Sequence, residues 1–377
     1  LGHNATVDWL YDTLNSLDYY DVVKQPFTEL YSEGTATLKV DGQDVEARIL
    51  TYTPSGEYTG ALVAVEGLGC TADAISQEDS VPILEALGAG EVTVDFKVDA
   101  VVENRVNYNV IAETKGGDHD NVLILGGHSD SVAAGPGIND DGSGTVGVLK
   151  VAEALTKFEV NNAVRFAFWG AEEFGKLGSY YYVKQLNSSD EEVAKIRAYL
   201  NFDMIASPNY IYGIYDGDGS AFNLTGPAGS DAIEKEFEDF YRANGVKSVP
   251  SEFSGRSDYA AFIENGIPSG GLFTGAEGLK TPEEAVLFGG EAGVSYDVNY
   301  HKIGDDINNL NHEAYLLNTK SIANSVAKYA LSFDSLTPVD LTKRRWAADR
   351  ALFHKRSGFH SAQHGHVGPC GGGGVTQ

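Results

Sequence analysis

Residues 122–144 read VLILGGHSDSVAAGPGINDDGSG. The apolar run Val122–Leu125 is short and unalternated, as expected of a strand buried on both faces. Two glycines then release His128 and Asp130. A second glycine-rich turn carries Asp140 and Asp141 and leads into a predicted helix from about Ser143 to Phe158, striped by Val148, Val151, Ala152 and Leu155. A buried strand, a turn bearing polar groups and a covering helix form one α/β unit.

The same rhythm continues downstream. Strands are predicted at Val164–Trp169 and Ala198–Phe202, with a helix around Tyr180–Gln185 between them. An amphipathic helix over Asp231–Asn244 presents Ile233, Phe237, Phe240 and Tyr241 and is closed by Gly245. Glu313–Leu331 is the expected last helix. The fold class predicted is α/β: a mixed, mostly parallel central sheet sandwiched by helices. Upstream, Asn4–Leu17 reads as a helix through Val7, Leu10, Tyr11 and Leu14. From Tyr20 to about Val65 the pattern turns to β-type alternation, which returns at Val92–Val102 and Asn109–Glu113; Val81–Leu87 reads as a helix. Beyond about Leu341 come Lys343-Arg344-Arg345, four histidines (His354, His360, His364, His366) and a glycine run, expected to form a disordered tail.

With 377 residues, 42% of them hydrophobic, the chain can build one large core and an appendage. Acidic residues outnumber basic ones 54 to 27, a formal charge of −27, so nucleic acid is excluded as a partner. The two cysteines, Cys70 and Cys370, form no CxxC or Cys/His zinc pattern, and a disulfide between them is not expected. No apolar run is long enough to span a bilayer. The start at Leu1, without a signal-peptide pattern, suggests a mature or trimmed form. Sequons at Asn4, Asn187 and Asn223 give modest support for a secretory route, hence secretion or vacuolar delivery.

Only five histidines lie outside the tail, and two of them, His128 and His301, sit in motifs rich in carboxylates. His128 follows the strand at Val122–Leu125, Glu172 and Glu173 follow the strand ending at Trp169, and Asp203 follows the strand ending at Phe202. In open α/β sheets, sites form beyond the carboxyl ends of strands. Each residue has an ordinary reading: a surface histidine, a helix-capping aspartate, a pair of glutamates favoured at a helix N-terminus. Together they crowd charge onto one rim, which is unfavourable unless cations neutralise it. Two imidazoles and these carboxylates suffice for two divalent metals with a carboxylate to spare, a constellation suited to hydrolysis.

The ordered set HSD (128–130), GINDDGSG (137–144), WGAEEFGKLGS (169–179), NFDMIAS (201–207) and YHKIGDD (300–306) resembles the co-catalytic zinc aminopeptidases of peptidase family M28, and most of all their fungal leucine-aminopeptidase-like branch. The stretch GRSDYAAFIENGIPSGGLFTGAE (255–277) is similar to that branch as well. The resemblance implies that two zinc ions are held, one by His128 and Asp203, one by Glu173 and His301, with Asp140 bridging. It implies Asp130 behind the ring of His128, Glu172 as general base and acid, Tyr300 at the oxyanion, a cis peptide between Asp140 and Asp141, and Arg256 and Asp258 near a substrate pocket. The substrates implied are peptides with a free N-terminus, acted on by a monomer. In that branch a protease-associated (PA) domain is inserted after the N-terminal helix. Here the spacer is short around Cys70–Ala74, so the expected organisation is 1–33 (first part of the peptidase), 34–102 (a shortened PA-like insertion), 103–340 (peptidase) and 341–377 (tail). The competing readings are another metallohydrolase on this scaffold, such as a carboxypeptidase or a glutaminyl cyclase-like enzyme, and an inactive binding module.

Overall fold

The structure, a computed structural model, describes residues 2–50, 52–61 and 92–336. In chain order its elements are α1 (Gly2–Ser16), β1 (Tyr20–Val40), β2 (Gln43–Val45), β3 (Gly56–Ala61), β4 (Thr93–Thr114), β5 (Asp118–His128), α2 (Gly142–Leu155), β6 (Asn162–Trp169) and α3 (Leu177–Leu186). There follow α4 (Asp190–Lys195), β7 (Ile196–Phe202), β8 (Gly213–Tyr215), α5 (Ser230–Ala243), β9 (Val249–Ser251), α6 (Tyr259–Ile263), β10 (Ser269–Phe273), α7 (Pro282–Phe288) and α8 (His312–Leu331). The described residues divide into two compact units, one built from 2–27 and 106–336, the other from those between 28 and 105. Cys70, Cys370, the helix expected at Val81–Leu87 and the histidine-rich tail lie outside the described residues.

In the larger unit β5 pairs parallel with β6 and with β7, and β7 with β10, so the carboxyl ends of β5, β6 and β7 lie on one rim. β4 is antiparallel to β6 and β8 to β10, which makes the sheet mixed, as predicted. Side chains alternate across the sheet. Leu123, Leu125, Val164, Phe166, Leu200 and Phe202 join one core. Val122, Ile124, Ala163, Ala167, Trp169 and Tyr199 join the core on the other face. The first core includes Val7, Leu10 and Leu14 of α1 and Val148, Val151 and Leu155 of α2, the stripes read from the sequence. The second includes Tyr182 and Val183 of α3 and all of α6. Truncating Leu125 or Phe166 to alanine would cost about 2–5 kcal/mol, because both are fully buried.

The smaller unit is built on long ribbons. β2 folds back antiparallel on β1 (Leu38↔Val45), and β3 lies antiparallel to β4 (Gly56↔Val98). Few of its side chains are buried, Val94 and Val98 among them.

Candidate metal centre

Backbone order at the rim comes first. Asp141 caps α2, its Oδ1 accepting from Gly144 N at 2.9 Å. The same carboxylate accepts from Met204 N and from His128 N, both at 3.0 Å, so one side chain ties the ends of β5 and β7 to the start of α2. This tight joint is why glycines flank it. A Cβ on Gly144 would meet Phe202 O at 1.9 Å, and one on Gly127 would meet Asp141 Oδ2 at 2.4 Å. The Asp140–Asp141 peptide is cis, as expected.

The turn carrying Asp140 is held from the other side by Asp305, whose carboxylate accepts from Asn139 N at 2.8 Å and Asp140 N at 3.1 Å. Asn139 and Asn309 donate in turn to the buried Asp297. This scaffold fixes where the Asp140 carboxylate points.

The ligand-type side chains converge. His128 Nε2 lies 3.1 Å from Asp140 Oδ1 and 3.6 Å from Asp203 Oδ1. His301 Nε2 lies 3.1 Å from Asp140 Oδ2 and 3.1 Å from Glu173 Oε2. Asp140 thus offers one oxygen to each imidazole. In each group of three, His128–Asp140–Asp203 and Asp140–Glu173–His301, the candidate ligand atoms lie within 4.8 Å of one another. Asp203 Oδ2 accepts from Ser257 Oγ at 2.6 Å, which orients it. Glu173 Oε1 is buried with no hydrogen-bond partner among the described residues.

The electrostatics show how uncomfortable this crowding is for the protein alone. Burial opposes charge on His301, yet Asp140 and Glu173 push its pKa up to about 10. Burial and the nearby Asp140 raise Glu173 to about 7. Burial raises Glu172 well above the carboxylate range. A cation in place of the shared protons would relieve all three.

The remaining expected residues fall in different places. Asp130 lies beside His128, but Nδ1 is nearer its backbone carbonyl, at 3.1 Å, than its Oδ1, at 3.7 Å. The Asp130 carboxylate instead accepts from Glu172 N at 3.0 Å and Glu173 N at 3.3 Å, so it positions the acidic pair as well as the histidine. Tyr300 stacks on the His301 ring, with centroids 3.9 Å apart, and its hydroxyl oxygen accepts from Arg256 Nη2 at 3.3 Å. Arg256 is itself gripped by Glu277 through both carboxylate oxygens, at 2.8 and 3.3 Å.

A cleft opens over the cluster and is lined by Glu172, Glu173 and Tyr300 together with Tyr215, Tyr259 and Phe273. Arg256 lines it too, whereas Asp258 does not. Asp258, expected near the pocket, stands between the lining residues Ser257 and Tyr259 and is fully buried at the start of α6, a helix whose residues all lie in the core. Ser179 donates to its Oδ1, its Oδ2 has no hydrogen-bond partner among the described residues, and burial raises its pKa to about 7. The bonds of Asp141 to His128 N and Met204 N and the anchoring roles of Asp305 and Ser257 went unread in the sequence. Asp141 and Asp305 stand beside or within the quoted motifs, but nothing in the spacing separates an anchor from a ligand.

Comparison with known proteins agrees with this geometry. The family model described as peptidase family M28 matches residues 109–326, more than half the chain. The chain is 49% identical to a probable leucine aminopeptidase 2 of Aspergillus fumigatus over 404 positions, covering 90% of this chain and 80% of that protein. It is 47% identical to a probable leucine aminopeptidase 2 of Aspergillus oryzae, covering 98% and 87%. Among solved structures, an aminopeptidase from Aneurinibacillus sp. strain AM-1 superposes with a TM-score of 0.68 at 24% identity, covering 90% of this chain and 91% of that one, a likeness of fold. By the family match and the relatives together, the chain belongs to peptidase family M28.

Proposed function

We propose that this chain is a zinc-dependent aminopeptidase that removes the first residue of peptides with a free N-terminus, using a two-metal centre. The observation that carries the reading is the sharing of the two Asp140 oxygens between His128 and His301, each of which has a carboxylate of its own. His128 and Asp203 would hold one ion, Glu173 and His301 the other, and Asp140 both. Imidazole nitrogen and carboxylate oxygen in this mixture suit zinc, and the partnerless, buried Glu173 Oε1 is the orphan acceptor that a bound cation would satisfy. When bound, such a metal pair supplies Lewis acidity and makes water acidic near neutral pH.

The chain's own groups do the rest. Glu172 lines the cleft, and its raised pKa suits a group that takes a proton from the attacking water and returns it to the leaving amine. Asp130 holds the backbone of Glu172 in place. Tyr300 donates to the oxygen that gains charge as the carbonyl becomes tetrahedral, a role supported by its place on the cleft wall. The cleft also selects which end of a peptide enters. Its only basic lining residue among those described, Arg256, is occupied by Glu277, so a terminal carboxylate would meet mostly other carboxylates, while an ammonium group would be welcomed. This favours an aminopeptidase over a carboxypeptidase.

Two further parts of the reading concern the rest of the chain. The 28–105 unit fits a shortened PA-like insertion; the alignment with the A. fumigatus relative, at 404 positions, exceeds the length of this 377-residue chain, so that relative carries residues this one lacks. Delivery through the secretory route, to the outside or to a vacuole, is supported by the exposure of Asn4, Asn187 and Asn223. No described helix is long and apolar enough to cross a membrane.

The test is a panel of aminoacyl anilides, free and N-acetylated, with and without chelator. Free leucine anilide should be hydrolysed, its acetylated form should not, and zinc should restore activity after chelation. Equal turnover of the acetylated form, or activity only on peptides with a free C-terminus, would contradict the reading.

A further inference from the structure

Stacking on His301 holds the Tyr300 ring, so what is left to set is the direction of its hydroxyl hydrogen, which rotates to suit its neighbours. The structure supplies a neighbour that can only donate. Arg256 Nη2 donates to the Tyr300 hydroxyl oxygen at 3.3 Å. A guanidinium has no acceptor, so this bond takes a lone pair and turns the hydroxyl's own hydrogen away from Arg256. A charged donor on the oxygen also strengthens the bond that the hydroxyl gives in turn. Arg256 has a long side chain with many rotamers to lose. Glu277 restrains it, Oε1 accepting from Nη1 at 2.8 Å and Oε2 from Nη2 at 3.3 Å, the same nitrogen that faces Tyr300. The backbone of Glu277 is fixed in turn. Asp297 N donates to Ala276 O at 2.8 Å and Tyr296 N to Gly278 O at 2.9 Å, one bond on either side of it. The approach is close: Gly275 has φ +97°, and a Cβ there would meet the Tyr296 ring at 2.3 Å. Glu277 is thereby tied to the segment that runs on into Tyr300. The side chains of the Arg256–Glu277 pair are 37% and 39% exposed, and a pair so wet does little for stability. Its geometry fits a role in aiming a group.

We propose that Glu277 is a positioning residue for peptide hydrolysis: by clamping Arg256, it keeps the Tyr300 hydroxyl turned to donate into the cleft. This role rests on the aminopeptidase reading, in which Tyr300 meets the oxygen that gains charge, and adds how that hydroxyl is aimed. Glu277 touches neither substrate nor metal. It acts through Arg256, and Arg256 acts through Tyr300. A donor aimed before the reaction starts stabilises the transition state without reorganising, whereas one that must turn loses part of that benefit. Substrate binding does not draw on the bond, so the effect belongs to kcat and not to KM.

The test is a double-mutant cycle on leucyl-anilide hydrolysis by the metal-replete enzyme, with Glu277→Gln, Tyr300→Phe and the two combined. Alone, Glu277→Gln should lower kcat about tenfold, less than the about 10²-fold expected of Tyr300→Phe, with KM, zinc content and melting temperature unchanged. In the Tyr300→Phe background the same substitution should change kcat by less than about twofold, because no hydroxyl is left to aim. Arg256→Lys is the second variant. An ammonium group is a point charge that cannot span both Glu277 oxygens and the hydroxyl, so kcat should fall here too, and adding Glu277→Gln should lower it little further. A wild-type kcat in Glu277→Gln or in Arg256→Lys would overturn the role of Glu277 and leave the aminopeptidase standing. So would fully multiplicative losses in the Glu277–Tyr300 cycle, or a loss carried by KM, zinc content or melting temperature. If Tyr300→Phe itself keeps the wild-type kcat, the oxyanion role of Tyr300 falls and this proposal with it. If the metal-replete wild type cleaves no anilide, the aminopeptidase reading falls first.

Discussion

Two acidic clusters in this molecule invite the same label and have opposite chemistry. One is the rim cluster of His128, Asp140, Glu173, Asp203 and His301; the other is Asp216, Asp218 and Glu234, whose candidate ligand atoms also lie within 4.8 Å of one another. In the second, backbone N–H groups already use oxygens of all three residues, Asp218 Oδ1 accepting from Ser220 N at 2.7 Å. Asp216 accepts from the backbone N–H groups of Ser220, Ala221 and Phe222, at 2.9–3.1 Å. Glu234 Oε2 accepts from Gly217 N and Asp218 N, at 2.9 and 3.1 Å. That cluster is a clasp for a turn. At the rim, the acceptors face imidazoles and one another, and Glu173 Oε1 faces no donor at all. Crowded carboxylates therefore mark a cation site only where the backbone has not already supplied the positive ends.

The largest effect should follow from removing the shared ligand. Asp140→Asn removes the charge that both imidazoles face, and we expect loss of bound zinc and of nearly all peptidase activity, measured by metal analysis and anilide hydrolysis. Zinc retained at the wild-type level would erase the distinction between the clusters. Next is Glu172→Gln. It should keep its zinc and its fold but lower kcat by about 10²–10⁴-fold, the range for a positioned acid–base group, as read from steady-state kinetics beside the same metal assay. Chelation should come third. Stripping the ions leaves the rim carboxylates repelling one another, so the melting temperature should fall and return with added zinc. Equal melting with and without chelator would place the ions elsewhere.

The smallest effect belongs to the clasp. Burial raises Glu234 to about 7 from an ordinary 4.5. A carboxyl whose pKa is higher in the folded state binds more protons there, so its contribution to stability is present at low pH and is lost as pH rises from about 4.5 through about 7. Glu234→Gln keeps an oxygen for the two N–H groups and cannot titrate. We expect a flatter stability profile across that window in denaturant titrations, with zinc content and turnover unchanged. A loss of zinc in this variant would make the clasp a metal site after all.

The contrast also explains what could be read from the sequence. His128, Glu172 and Asp203 were legible because each follows an apolar run that a parallel sheet buries on both faces, and the sheet brings their strand ends to one rim. His301 was not legible that way. It sits in a loop with φ +56° and no periodicity around it, and only the resemblance of YHKIGDD singled it out. Asp141 was read as a helix cap, which it is, but its bonds to His128 N and Met204 N depend on contacts 13 and 63 residues away that no local pattern encodes. Asp258 was singled out only by the resemblance of the 255–277 stretch, and its burial was not legible. The five-residue helix it opens is wholly buried, which a charged residue at its start gives no sign of. The 21-residue β1 fell inside one long β-type region without a visible end, and the 22-residue β4 was legible only as two stretches, because alternation weakens where exposure grows along them.

The central claim is that Asp140 stands between two zinc ions, and diffraction at the zinc absorption edge tests it most directly. Anomalous difference maps should show two peaks, one beside His128 and Asp203 and one beside Glu173 and His301, with an oxygen of Asp140 directed at each. A single peak, no peak at the rim, or density at Asp216 and Glu234 instead would contradict it.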